Sequence, residues 1–286
     1  MERTQLTGFM AIPPPLPNAR LQAKDLQDLR HAKALLENPG LAMRLANLVG
    51  TPLEKGFKLL PQGWTDVVHK AARAALTRAL NVAVASLGTR ARATASEKFH
   101  KILVGASGGV GGAFGLAAVP VELPISTTFM LRSIADIARS EGHDLQSASV
   151  KFACLEVFAL GGKAKSDDAS ESGYWAIRTA LAKAVSEAAA YVAQRGVLEQ
   201  SAPAVVRFIA AIAARFGVIV SEQVAAKAVP VIGAASGSVI NILFMEHFQN
   251  MARGHFIVKR LEAKYGVARI REAYEQIAFS RASSPE

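Results

Sequence analysis

Several ionisable or strongly polar side chains stand in apolar surroundings in this sequence. Glu122 is the one ionisable residue between positions 102 and 131. Arg132 and Asp136 lie four apart on a stretch otherwise made of Met130, Leu131, Ile134 and Ile137. Glu156 shares a helical face with Phe152, Ala153, Ala159 and Leu160. Asn241 shares one with Met245, Phe248, Ala252 and His255. A charge in such a setting is costly unless it is paired. These groups therefore form a structural polar network or line a site for a ligand or a reaction. Arg132 cannot lose its proton. If buried it needs a carboxylate, and Glu122, Asp136 and Glu156 are the candidates.

Signatures of defined chemistry are missing. No Gly-Lys-Ser/Thr follows a glycine-rich loop, and there is neither a G-x-S-x-G elbow nor an H-E-x-x-H pair. The single cysteine, Cys154, sits in an apolar run and reads as a small packed hydrophobe. One metal reading can be built. Glu97-x-x-His100 and Asp66-x-x-His69 put acid and imidazole one helical turn apart, and Glu122 and Glu156 could add the carboxylates of a di-metal bundle. Asp66 and His69 fall on a basic face, which weighs against it. Catalytic residues, metal ligands and cofactor are all left unassigned.

Composition narrows the class. Apolar residues make up 51% of the 286 positions and charged residues 20%, greasy for a soluble domain, so a deep helical core, contact with a membrane, or both are expected. The net charge is +10. Residues 1–101 hold 15 Lys/Arg against 7 Asp/Glu, and the remainder 18 against 16. This basic N-terminal third suits an anionic partner, with lipid headgroups or an acidic protein preferred to nucleic acid. Pro13, Pro14, Pro15 and Pro17 interrupt the N-terminus where a secretory signal needs an unbroken apolar core. The expectation is a cytoplasmic protein that can sit at a membrane surface.

The elements that must position the polar set read as helices throughout. Helical patterns cover 21–36, 41–49, 64–87, 126–140, 143–160, 174–195 and 202–216, and a long segment covers 221–265. The 64–87 helix is basic and amphipathic, with Lys70 and Arg73 opposite Val68, Ala71 and Ala75. Between 102 and 121 the glycine pairs 105/109, 108/112 and 111/115 are each four apart, a spacing that lets another backbone approach. Pro120 and Pro124 should break that run, leaving a hairpin with Glu122 at its bend. A second uncharged stretch, 228–245, carries Gly233 and Gly237. Both uncharged stretches can be read as core helices, as a re-entrant hairpin or as membrane spans.

The residues also carry a resemblance. Gly108-Gly109-Val110-Gly111-Gly112-Ala113-Phe114-Gly115, then Glu122-Leu123-Pro124, then Arg132 to Ala138, looks like the central motif of EcsC-type proteins. Residues 154–162 and Pro230-Val231-Ile232-Gly233-Ala234, followed by Asn241, His247 and His255, resemble that family too. The likeness spans about residues 64–270. It marks Glu122, Arg132, Asp136, Glu156, Asn241, His247 and His255 as matching positions. The family is named for a protein encoded beside an ABC transporter, so the resemblance implies a membrane-linked role and carries over no catalytic residue.

The expected fold is an all-α, multi-helix bundle around tightly packed, glycine-rich helices. Its expected parts are a Pro-rich arm over 1–19, a basic helical segment over 20–63, an EcsC-like domain over 64–275 and a disordered tail over 276–286. The expected function is that of a non-enzymatic accessory protein binding anionic lipid or a membrane partner, with an ABC transporter or another membrane protein as the candidate partners. The alternative is a hydrolase or metal-dependent enzyme with its site at Glu122, Asp136, Glu156 and His255.

Overall fold

A computed structural model describes residues 20–37, 40–86, 119–161, 173–195, 201–229 and 235–277. The glycine-rich run 102–118, the expected N-terminal arm and most of the expected C-terminal tail lie outside the described residues. Ten α-helices and no strand occur among the described residues, so the bundle is all-α. In chain order they are α1 (Ala23–Glu37), α2 (Leu41–Val49), α3 (Leu53–Lys58), α4 (Trp64–Ser86) and α5 (Val119–Ser140). Then come α6 (Ala148–Glu156), α7 (Gly173–Arg195), α8 (Pro203–Ala228), α9 (Ala235–Tyr265) and α10 (Val267–Gln276).

Helices α8 and α9 form the centre. Helix α8 packs on α2, α3, α4, α7 and α9, while α9 also packs on α1 and α5. Their inward rows carry large aromatics at helical spacing. Phe216 of α8 and Phe244 and Phe248 of α9 gather with Phe158, with ring centroids 5.1 Å apart for Phe244–Phe248 and 5.2 Å for Phe158–Phe216. Tilted and edge-on pairs of this kind add to the gain from burying the rings. The amphipathic pattern of α4 turns Val68, Ala72, Ala75, Leu76 and Ala79 fully inward and leaves Lys70, Arg73 and Arg78 exposed. Val67, on the edge of that face, is exposed.

Two expected breaks do not occur. Helix α5 runs unbroken through Pro124, so Glu122 lies on its first turns and not at the bend of a hairpin. Pro124 is the sixth residue of the helix, so it forfeits one intrahelical hydrogen bond, the one an amide there would donate to the Pro120 carbonyl. Ser126 caps nothing; its hydroxyl donates to the Leu123 carbonyl at 3.1 Å, inside the helix. Helix α8 likewise passes straight through Gly217, where the periodicity suggested a gap. A side chain at Gly217 would stand 2.7 Å from His69 Nδ1. The glycine serves the contact with α4, and does not end a helix.

Asp144 starts a turn, not a helix: its carboxylate accepts from the Gln146 amide at 2.9 Å, and α6 begins at Ala148. Helix α8 is also the one described helix long and apolar enough to cross a membrane by length and composition, and just over half of that stretch is buried against the bundle. Of the second uncharged stretch, residues 230–234 lie outside the described residues, and Ile240, Phe244 and Met245 are core residues of α9.

Candidate functional site

Two interior polar constellations, one surface pair and one cleft hold the candidate residues. The first joins α5, α8 and α9. Glu122 Oε1 accepts from Lys227 Nζ at 3.0 Å and from Asn241 Nδ2 at 2.9 Å. Asn241 Oδ1 in turn accepts from Gln223 Nε2 at 2.7 Å. Asn241 and Gln223 are both buried. One carboxylate, one cation and two amides thus satisfy one another, as buried polar groups must.

The second constellation lies where α6, α7 and α9 meet. Glu156 and His255 are buried, with Glu156 Oε2 3.7 Å from His255 Nε2. Tyr174 Oη is 3.1 Å from His255 Nδ1 and accepts from Arg178. Arg178 forms a two-pronged pair with Glu262 at 2.6 and 3.0 Å. With Arg178 donating to it, the Tyr174 hydroxyl donates to Nδ1, which leaves the His255 proton on Nε2, facing Glu156. Burial dominates the titration of this group. It raises the Glu156 carboxyl and the Tyr174 phenol, and holds His255 well below its ordinary range. His255 and Tyr174 are therefore neutral near pH 7. Hydrogen bonds join His255, Tyr174, Arg178 and Glu262, while Glu156 stands 3.7 Å from His255 Nε2 without one, and Tyr174 also borders the cleft.

The third is a surface pair. Asp136 is half-buried and accepts from Arg139 at 3.1 Å. Arg132, expected inside the bundle with a carboxylate, is instead exposed. It shares the polar side of α5 with Asp136, while Met130, Leu131, Ser133 and Ile134 point inward. The residues of the alternative enzymatic site are therefore divided: Glu156 stands with His255, Glu122 with Lys227 and Asn241, and Asp136 with Arg139.

The cleft has a volume of about 1550 Å³. Its walls come from α2, α3, the start of α4, the start of α7, and facing rows of α8 and α9. Leu41, Leu53, Phe57, Trp64, Ile177, Val218 and Met251 are among the apolar residues that line it. Phe57 and Trp64 are stacked, with centroids 5.6 Å apart. His247 borders the cleft at the turn where the chain leaves α6. Gly161 there has φ +79°, and a side chain on it would run into the His247 ring. His247 bonds the Leu160 backbone, a contact that raises its basicity and so is a donation to the carbonyl. Its Nε2 is buried and has no partner. Donation from Nδ1 leaves Nε2 as an acceptor. Burial outweighs that bond, and Arg44 adds to it, so the imidazole is held down to about 4 and is neutral near pH 7.

Cys154 is fully buried and its thiol is pushed up to about 12 by burial, as a packed hydrophobe should be. No group of three or more His, Cys, Asp or Glu is gathered for a metal among the described residues. Glu97 and His100 lie outside them. Asp66 is exposed, whereas His69 borders the cleft. Sequence reasoning missed Tyr174, Lys227 and Gln223, because each acquires its partner from another helix. It also missed the cleft, part of whose wall comes from α2 and α3.

No curated protein and no solved structure matches the chain. The family model of the EcsC protein family matches residues 23–261. That match begins within α1 and takes in the helices that wall the cleft, and on its extent the chain belongs to the EcsC family.

Proposed function

We propose that this protein is a non-enzymatic accessory protein that binds a lipid-like molecule, with its cleft as the binding site and a membrane surface as its place of work. The cleft carries this reading. Ligand sites are concave, mostly apolar and furnished with a few placed polar groups, and typical ones span about 300–1,000 Å³. A mostly apolar space of about 1550 Å³ would hold roughly fifty waters at bulk density, and an apolar wall rewards an apolar occupant instead. The basic N-terminal third supports the surface role: Arg20, Lys24, Arg30, Lys55, Lys58, Lys70 and Arg73 are all exposed. The division of Glu122, Asp136 and Glu156 among three separate sets of partners favours binding over catalysis.

The test is native mass spectrometry of the full chain purified without detergent, followed by titration with a fluorescent acyl-chain probe. The expected result is a bound amphiphile or saturable probe uptake, weakened when Ala46→Trp fills the cleft. A parent protein that carries nothing and takes up no probe would remove the reading.

A further inference from the structure

The charged side chains described on the cleft wall are acidic, against the basic balance of the whole chain. The sequence carries ten more basic than acidic residues, yet among the described residues Glu37, Glu54 and Glu222 border the cleft and no lysine or arginine does. Independently, His247 borders the same space, 4% exposed, with an unpartnered Nε2 that accepts and does not donate. The stacked Phe57 and Trp64 rings form part of the wall, and aromatic faces attract cations. An anionic head would meet three carboxylates and a ring nitrogen with no proton to give. A cationic head bearing N–H groups meets charge of the opposite sign, an acceptor and aromatic faces.

We propose that the cleft selects cationic amphiphiles, an alkyl chain ending in a protonated amine, over neutral and anionic amphiphiles of equal chain length. The inference rests on the cleft being a lipid-like binding site and names the class it takes. It separates the cleft from the basic surface of α1, α3 and α4: the surface suits anionic headgroups, while the cleft refuses them.

Calorimetric titration of the full chain at pH 7 with decylammonium, decanol and decanoate, each below its micelle concentration, tests this. Decylammonium should bind at least tenfold tighter than decanol, and decanoate weaker still. In Glu37→Gln/Glu54→Gln protein with an unchanged melting temperature, the ratio of ammonium to alcohol affinity should fall at least threefold. Decyltrimethylammonium, which has no N–H to give His247, should bind less tightly than decylammonium. Equal binding of all three heads, tightest binding of decanoate, or a preference that survives both glutamate substitutions overturns the charge selection. If Ala46→Trp still abolishes uptake in those cases, the cleft remains a binding site. No binding of any decyl compound overturns both proposals together.

Discussion

At the residue scale, the interior polar groups divide by what their neighbours do to their charge. His247 is held at about 4 against an ordinary 6.5 because its ring is buried. Burial is also the leading cause that lowers His143 and His255. A base depressed in the folded state takes up protons on unfolding between those two values. Stability is therefore complete above pH 6.5 and falls as pH drops toward 4. The His247 share corresponds to roughly 3 kcal/mol. Denaturation of the parent and of His247→Leu across pH 4–7 should show a shallower acid slope in the variant; parallel curves would contradict the burial of a neutral ring. Hydrogen bonding at Asn241 gives a second expectation. Asn241→Ala leaves the Gln223 amide unpartnered and strips one donor from Glu122, at a cost of about 1–3 kcal/mol. Arg132→Ala, on the exposed side of α5, should stay within about 0.5 kcal/mol of the parent. Urea titrations of the two variants decide both, and a large loss at Arg132 would restore its sequence-based role as a buried partner.

At the scale of elements, glycines set how closely helices approach, and what stands opposite decides their worth. A side chain on Gly56 of α3 would run into the Ala225 backbone carbonyl of α8. One on Gly254 of α9 would stand 2.6 Å from Leu36 Cγ of α1. Backbone cannot step aside, so Gly56→Ala should force the helices apart and cost about 1–3 kcal/mol. Gly217→Ala meets only the half-buried His69 ring, which can swing toward solvent, and a helix-interior alanine gains about 1 kcal/mol over glycine. We expect that variant to melt near the parent temperature while Gly56→Ala melts clearly lower. Thermal melts with equal losses would mean that His69 is pinned. Like glycines reasoned from spacing alone, such as Gly112, lie outside the described residues, whereas Gly56 and Gly254 carry no repeat that would single them out.

For the whole molecule, charge and grease are distributed unequally, and that asymmetry has a measurable consequence. The exposed lysines and arginines of α1, α3 and α4 lie in the same N-terminal part of the chain that holds 15 basic against 7 acidic residues. Under the surface role proposed above, binding to vesicles containing anionic lipid should weaken as salt rises from 50 to 500 mM, because exposed charges are screened beyond about 8 Å at physiological ionic strength. Co-sedimentation that is equal for neutral and anionic vesicles, or insensitive to salt, would count against that role.

What could be read without coordinates was local. Period-3.6 patterning placed α2 at 41–49 and matched the bounds of α4 and α7 within a residue or so, because each amphipathic helix must bury one stripe whatever its partner. The single buried cysteine and the burial of Glu156 and His255 followed from apolar neighbours on the same face. Pairing did not follow. Asn241 meets Glu122 across 119 positions, and Tyr174 meets His255 across 81. Such contacts depend on helix crossings that no local pattern encodes. Arg132 faced outward because one side of α5 is wet, a choice made by what packs on the other side. The continuity of α5 through Pro124 and of α8 through Gly217 was likewise tertiary, since buried faces on both sides of each residue outweigh the loss of a hydrogen bond or the flexibility of a glycine. The cleft belongs wholly to that level: it exists only because α2 and α3 close against α8 and α9, and its acidic rim contradicts the net charge of the sequence that forms it.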